Sequence, residues 1–171
     1  MAEVIEQLFT FIRRNTPSRA RFSNDRTQRE DIPLYPEVAI REGIVNAFAH
    51  RDYSSFSGGI KVEISPAQVK IWNSGTLPEG VSADQLQHGH ISVLRNPDIA
   101  HILYLLGYME KFGRGSVLIC QACESVSHLF LHFKSGSIAI VIKFFIITIS
   151  DKNFYTCGCE RLSVTRVIRC S

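Results

Sequence analysis

Residues 38–52 constrain this chain more than any other stretch. Ile40, Ile44 and Phe48 recur at helical spacing, and at about 100° per residue they gather on one side of a helix. Glu42 and Asn46 fall one turn apart, about 40° from each other, on roughly the opposite side. A carboxylate and an amide therefore share one turn. That pair suits a magnesium nucleotide: the amide oxygen can ligate a hard cation, and the carboxylate can orient or deprotonate a water beside a terminal phosphate. The plainer alternative is an amphipathic helix whose polar side faces solvent.

The flanking sequence supplies the other elements. Val4, Ile5, Leu8, Phe9 and Ile12 predict a helix over Glu3–Arg14, ended by Asn15-Thr16-Pro17-Ser18. Arg19–Asp31 is polar and basic without a period and predicts a loop or irregular extended segment. Pro33 and Pro36 bracket Leu34-Tyr35 and mark the start of the central helix, Pro36–Arg51. Ile60, Val62 and Ile64 alternate with Lys61 and Glu63, predicting a half-buried strand over 60–65. Ser65-Pro66-Ala67-Gln68 turns the chain into a hairpin partner through Val69, Ile71 and Trp72, closed by Asn73-Ser74-Gly75. Thr76–Gly89 reads as a long loop with a short turn near Ser82–Leu86. Asn96-Pro97 predicts an N-cap and first helical residue for an apolar helix ending at Gly107. Phe112-Gly113-Arg114-Gly115 breaks the chain, and a helical pattern resumes over Ser116–Cys123. Leu129–Phe133 and Ile138–Ile149 predict two late strands joined at Lys134-Ser135-Gly136, and from Asp151 the periodicity fades.

At 171 residues the chain suffices for one well-buried domain and is short for two. An odd count of five cysteines and the lack of a leader-like N-terminus predict a reduced, cytoplasmic setting. The longest apolar run, Ile138–Ile149, is interrupted by Lys143, too short to span a bilayer and rich in β-branched residues, so it reads as a buried strand, and no membrane partner is expected. The net charge of +3 is too small to argue for nucleic acid, and the arginines clustered near each end read as solvated surface. Cys120 and Cys123 sit among apolar residues, where cysteine acts as a small hydrophobe more often than as a zinc ligand.

Two further features sit where backbone could meet a ligand. Asn73-Ser74-Gly75 follows a strand: an amide at a strand end can hydrogen-bond a purine edge, and a glycine lets the ring approach. Gly113-Arg114-Gly115 precedes a helix, whose free N–H groups and dipole favour an anion, with Arg114 adding charge.

In this order the three features resemble the Bergerat-fold, GHKL-type ATPases, the superfamily of gyrase, heat-shock chaperones, histidine kinases and MutL-type repair proteins. Tyr35–Tyr53, Arg95-Asn96-Pro97, Leu106-Gly107-Tyr108-Met109-Glu110 and Phe112-Gly113-Arg114-Gly115 are similar to a narrower group: the ATPase module of Schlafen AlbA-type transcriptional regulators related to the RecG helicase. The resemblance implies an α/β two-layer sandwich, a mixed sheet with helices on one face. It implies that Glu42 activates water, that Asn46 ligates Mg²⁺, and that Asn73 with Gly75 reads adenine. Gly113 and Gly115 would contact phosphate beside Arg114, and the loop from Thr76 to Leu94 would be the nucleotide lid. Asn73 stands where most of the superfamily has aspartate, keeping an acceptor oxygen without the charge. His50, Arg51 and Asp52 belong to the narrower pattern without a chemical role. The expected organisation is an N-terminal helix and connector over 1–35, an ATP-binding domain over 36–150 and a tail over 151–171. The expected function is ATP binding, with slow magnesium-dependent hydrolysis, in a DNA-associated regulator. The alternative is an inactive interaction or dimerisation module on the same fold. Expected partners are ATP and a second copy of the chain, with DNA met only through domains this chain lacks.

Overall fold

A computed structural model describes residues 1–22, 27–56, 58–83, 85–88, 93–109, 115–126, 129–136, 138–146 and 166–170. Its elements run α1 (Ala2–Asn15), β1 (Ser18–Arg21), β2 (Glu30–Pro33), α2 (Glu37–His50), β3 (Ile60–Ser65) and β4 (Gln68–Ser74). There follow α3 (Gln85–His88), α4 (Pro97–Leu105), α5 (Gly115–Glu124), β5 (Leu129–Ser135), β6 (Ala139–Ile146) and β7 (Arg166–Cys170).

The alternating pattern of residues 60–74 folds as an antiparallel hairpin, with Ile64 opposite Val69 and Ile60 opposite Asn73. β4 pairs with β6, β6 with β5, and β3 with β7, giving a sheet of order β5-β6-β4-β3-β7. Ile60, Val62, Val69, Ile71, Ile142 and Phe144 are buried on one face, with α2 packed over β4 and α1 against β3. Gly43 permits the close approach: a β-carbon there would sit 2.9 Å from Ile71 Cδ1 and 3.8 Å from Phe144 Cζ. α1 joins the same core through Ile5, Leu8 and Ile12, as its 3.6-residue spacing requires.

The architecture is the two-layer sandwich that the sequence predicts. Every described strand pairing is antiparallel, a narrower pattern than the mixed sheet expected. Arg19–Asp31 departs further, because its ends form β1 and β2, a two-stranded ribbon with Arg19 opposite Ile32. Neither strand alternates, since β1 is exposed along its whole length and no buried face imposes a period. The tail also contributes a strand: β7 pairs along β3, Cys170 opposite Ile60, and covers an edge that would otherwise expose unpaired backbone groups. Among the described residues no helix is long and apolar enough to cross a membrane.

Gly107 ends α4 with φ +76. Its N–H donates to Tyr104 O at 3.0 Å and that of Tyr108 to Leu103 O at 2.9 Å, the two bonds of a Schellman turn.

Candidate functional site

The central helix is buried on more than its apolar side. α2 packs against β4 below and against α1, α4 and α5 around it. Ala39, Ile40, Ile44, Val45, Ala47 and Ala49 are all buried. Its small residues allow neighbours on several sides, so the solvated polar face of an amphipathic helix does not form around Glu42. That carboxylate is 5% exposed.

What covers Glu42 is the start of α5. A β-carbon on Gly115 would collide with Glu42 Oε1 and lie 3.0 Å from Asn46 Nδ2. The acid, the amide and the first residue of α5 thus meet at one point. Ser116, the next residue, carries a buried Oγ with no hydrogen-bond partner. An unsatisfied hydroxyl beside a helix N-terminus is a costly feature to keep, and the sequence gives no sign of it.

A second corner forms at the end of β4. Val69, Ile71 and Asn73 alternate onto the helix-facing side, and Asn73 is 4% exposed. Gly43 of α2 lies over Ile71, and the N–H of Asp52, just past α2, donates to Ser74 O at 2.8 Å. Asn73 therefore lies beneath the second half of α2. Gly75 turns the chain with φ +117, where a β-carbon would approach Asp52 Cβ at 3.3 Å and the Arg95 guanidinium at 3.4 Å. Arg95 donates to Thr76 O at 2.7 Å.

The segment His50-Arg51-Asp52, without an expected chemical role, sits in the latch that joins these parts. Asn96 occupies the N-cap position of α4, yet its side chain makes no cap bond there. Instead its Nδ2 donates to Ala49 O at 3.0 Å and Arg51 O at 2.8 Å, satisfying carbonyls at the end of α2. Arg51 donates to Gly58 O at 3.2 Å and stacks 4.8 Å from the Tyr53 ring. The Asp52 carboxylate accepts from Ser54 Oγ and N; these bonds, and then the charge of Arg95, hold it below the usual carboxylate range.

Of the residues singled out by sequence, the structure brings together Glu42, Asn46 and Gly115, and places Asn73 and Gly75 at the end of the strand under the same helix. Gly113 and Arg114 lie outside the described residues, as do parts of the expected lid between Thr76 and Leu94. Arg95 and Asn96 are structural supports that their sequence motif marks without explaining. Cys120 and Cys123 are both buried free thiols; burial pushes Cys123 up to about 12 and Cys120 in the same direction. Among the described residues no group of three or more His, Cys, Asp or Glu side chains is placed to hold a metal.

Residues 58–144 match the family described as "Putative ATP-dependent DNA helicase recG C-terminal". They make up half of the chain, and the chain belongs to that family of RecG-related, ATPase-like modules. The match contains Asn73, Gly75 and Gly115 and begins after α2, so Glu42 and Asn46 stand outside it. The fold is shared with the crystal structure of the DIP2311 protein from Corynebacterium diphtheriae, with a TM-score of 0.67 at 17% identity. The similarity covers 84% of this chain and 29% of that one. The chain thus spans less than a third of that protein. A comparison with curated proteins returns no match.

Proposed function

We propose that this chain is a divergent Bergerat-type, GHKL-like domain that binds ATP with Mg²⁺ and hydrolyses it slowly, as a switch in a RecG-related, Schlafen AlbA-type transcriptional regulator. The observation that supports this most is the seat of Gly115 against Glu42 and Asn46. It is a cradle that any larger residue would fill, and the partnerless Ser116 hydroxyl lies beside it. These groups fit a magnesium nucleotide, because Mg²⁺ takes few protein oxygens and completes its shell with water and phosphate.

In this reading each group has one task. Asn46 would hold the ion through its amide oxygen, and Glu42 would orient a water and accept its proton, aided by burial that keeps bulk solvent away. The first N–H groups of α5 donate to phosphate oxygens, with the Ser116 hydroxyl beside them. Asn73 hydrogen-bonds the adenine edge, and Gly75 leaves room for the ring. When bound, the ion would neutralise charge on the terminal phosphate oxygens. Gly113 and Arg114 are assigned to the phosphate contacts by their sequence motif alone. Sequence-specific DNA contact is assigned to other domains of a longer protein, and a second copy of the chain is a natural partner.

The test is labelled-ATP binding and phosphate release, with magnesium, on the wild type, Glu42→Gln and Asn46→Ala. Glu42→Gln should retain binding and lose release by about 100-fold or more, the worth of a general base. Asn46→Ala should lose the magnesium dependence of binding. A folded wild type that binds no nucleotide would refute the reading and favour the interaction module.

A further inference from the structure

The sheet has a second face, away from the helices, and no described element covers it. Cross-strand register lays out its side chains. Lys61, Trp72, Val141 and Lys134 form one row across β3, β4, β6 and β5. The next row is Glu63, Lys70, Lys143 and His132. A third brings Phe145 opposite Phe130, which is 50% exposed. Near Trp72 the face hollows into a depression of about 730 Å³, with exposed Phe56 and Ile138 at its rim.

Charge and aromatic surface are interleaved here in a way a solvated face does not require. Across β3, β4, β6 and β5 four lysines share the face with one carboxylate, and the register of β7 sets Arg169 opposite Lys61. Glu63 pairs with Lys61 and, at 3.6 Å, with Lys70. Among the described residues no carboxylate pairs with Lys134 or Lys143. Burial pushes the Lys143 ammonium below its ordinary value, and the neighbouring charges of Lys70 and Lys134 push it further, with Glu63 opposing. Such crowding is relieved by an anion. The aromatic residues add flat apolar surface at both ends of the cationic band: Trp72 and Phe145 lie about 13 Å apart, at the spacing of four strand residues.

We propose that this open sheet face binds single-stranded nucleic acid, with bases stacked on Trp72 and the Phe130–Phe145 pair and phosphates met by Lys61, Lys70, Lys134 and Lys143. Trp72 and Phe145 are half-buried and Phe130 exposed, and stacking on such partly open rings along a cationic sheet surface is sequence-tolerant, because every base has a π-face and every linkage a charge. A duplex hides its bases and an acidic peptide lacks them, so neither fits the aromatic positions. The site lies across the sheet from the Glu42 cradle. It is independent of the nucleotide reading, and it departs from the expectation that nucleic acid is met only through other domains.

Trp72 is the chain's one tryptophan, so its fluorescence reports on this face alone. Fluorescein-labelled dT12 and U12 should bind by anisotropy and quench Trp72, with a log–log salt slope of about −3 for four phosphates. Trp72→Ala should weaken binding by between about 5- and 150-fold, the worth of one stacked base. Lys70→Gln with Lys143→Gln, a change on the sheet surface, should halve the slope to about −1.4. Excess Mg·ATP should leave the oligonucleotide bound, which separates this site from the nucleotide one. Absence of binding, a slope unmoved by the lysine variants, or a preference for duplex DNA would overturn the proposal. So would equal binding of poly-glutamate without quenching, the mark of an acidic protein partner.

Discussion

Gly115→Ala probes the junction of α2 and α5 with a single methyl group. The new β-carbon would overlap Glu42 Oε1 and press Asn46 Nδ2 at 3.0 Å. To recover van der Waals contact, the carboxylate must retreat by about 1 Å, and a displacement of that size at a reacting group costs about 100-fold in rate. Stability should change much less. Crowding a packed site costs about 1–3 kcal/mol, and alanine returns up to about 1 kcal/mol through helix propensity. The net loss of about 0–3 kcal/mol corresponds to a melting temperature lower by no more than about 12 °C. Phosphate release measured at saturating Mg·ATP, beside a thermal melt, separates the two effects. Gly107→Ala is the control: nothing lies within 4 Å of its β-carbon, so it should lose about 1–2 kcal/mol to the left-handed backbone with release unchanged. A folded Gly115→Ala chain releasing phosphate within twofold of wild type would refute the reasoning.

Further outcomes follow from the packing. Asn96→Ala removes two hydrogen bonds to the end of α2 and should cost about 1–3 kcal/mol, read as a lower denaturation midpoint; an unchanged midpoint would show that the latch contributes nothing. Phe144→Ala empties a fully buried position beneath Gly43 and should cost about 3–5 kcal/mol in a urea titration. A loss under 1 kcal/mol would contradict the placement of the core. Iodoacetamide at pH 8 should leave Cys123 unmodified in the folded chain and alkylate it after denaturation, because burial raises the thiol from 9.0 to about 12. The sign follows: the folded state holds this proton longer, so the contribution to stability is complete below pH 9 and disappears as pH rises towards 12. Rapid alkylation of the native chain would contradict the burial.

Elements that bury one face were legible in the sequence. Ile60, Val62 and Ile64 announce β3 because alternate residues enter the core, and Ile5, Leu8 and Ile12 announce α1 for the same reason at helical period. β1 and β2 were not, since exposed strands carry no periodic signature. β7 follows a stretch without pattern, and its pairing is set by the edge of β3, about a hundred residues earlier in the chain. Asn96 illustrates a subtler limit. Its position before Pro97 marks a helix start, yet its amide serves a different helix, 45 and 47 residues away. The same holds for the cradle. Glu42 and Asn46 can be placed on one helix turn by counting, but the arrival of Gly115 between them depends on how α5 packs. Ser116 owes its buried hydroxyl to that packing alone.

The most direct measurement is a crystal structure of the chain with a non-hydrolysable ATP analogue and Mg²⁺. The account predicts the adenine at the Asn73–Gly75 end of β4, with the terminal phosphate at the start of α5 beside Glu42 and Asn46. An analogue held elsewhere, or a cradle still closed by Gly115 at saturating nucleotide, would contradict it.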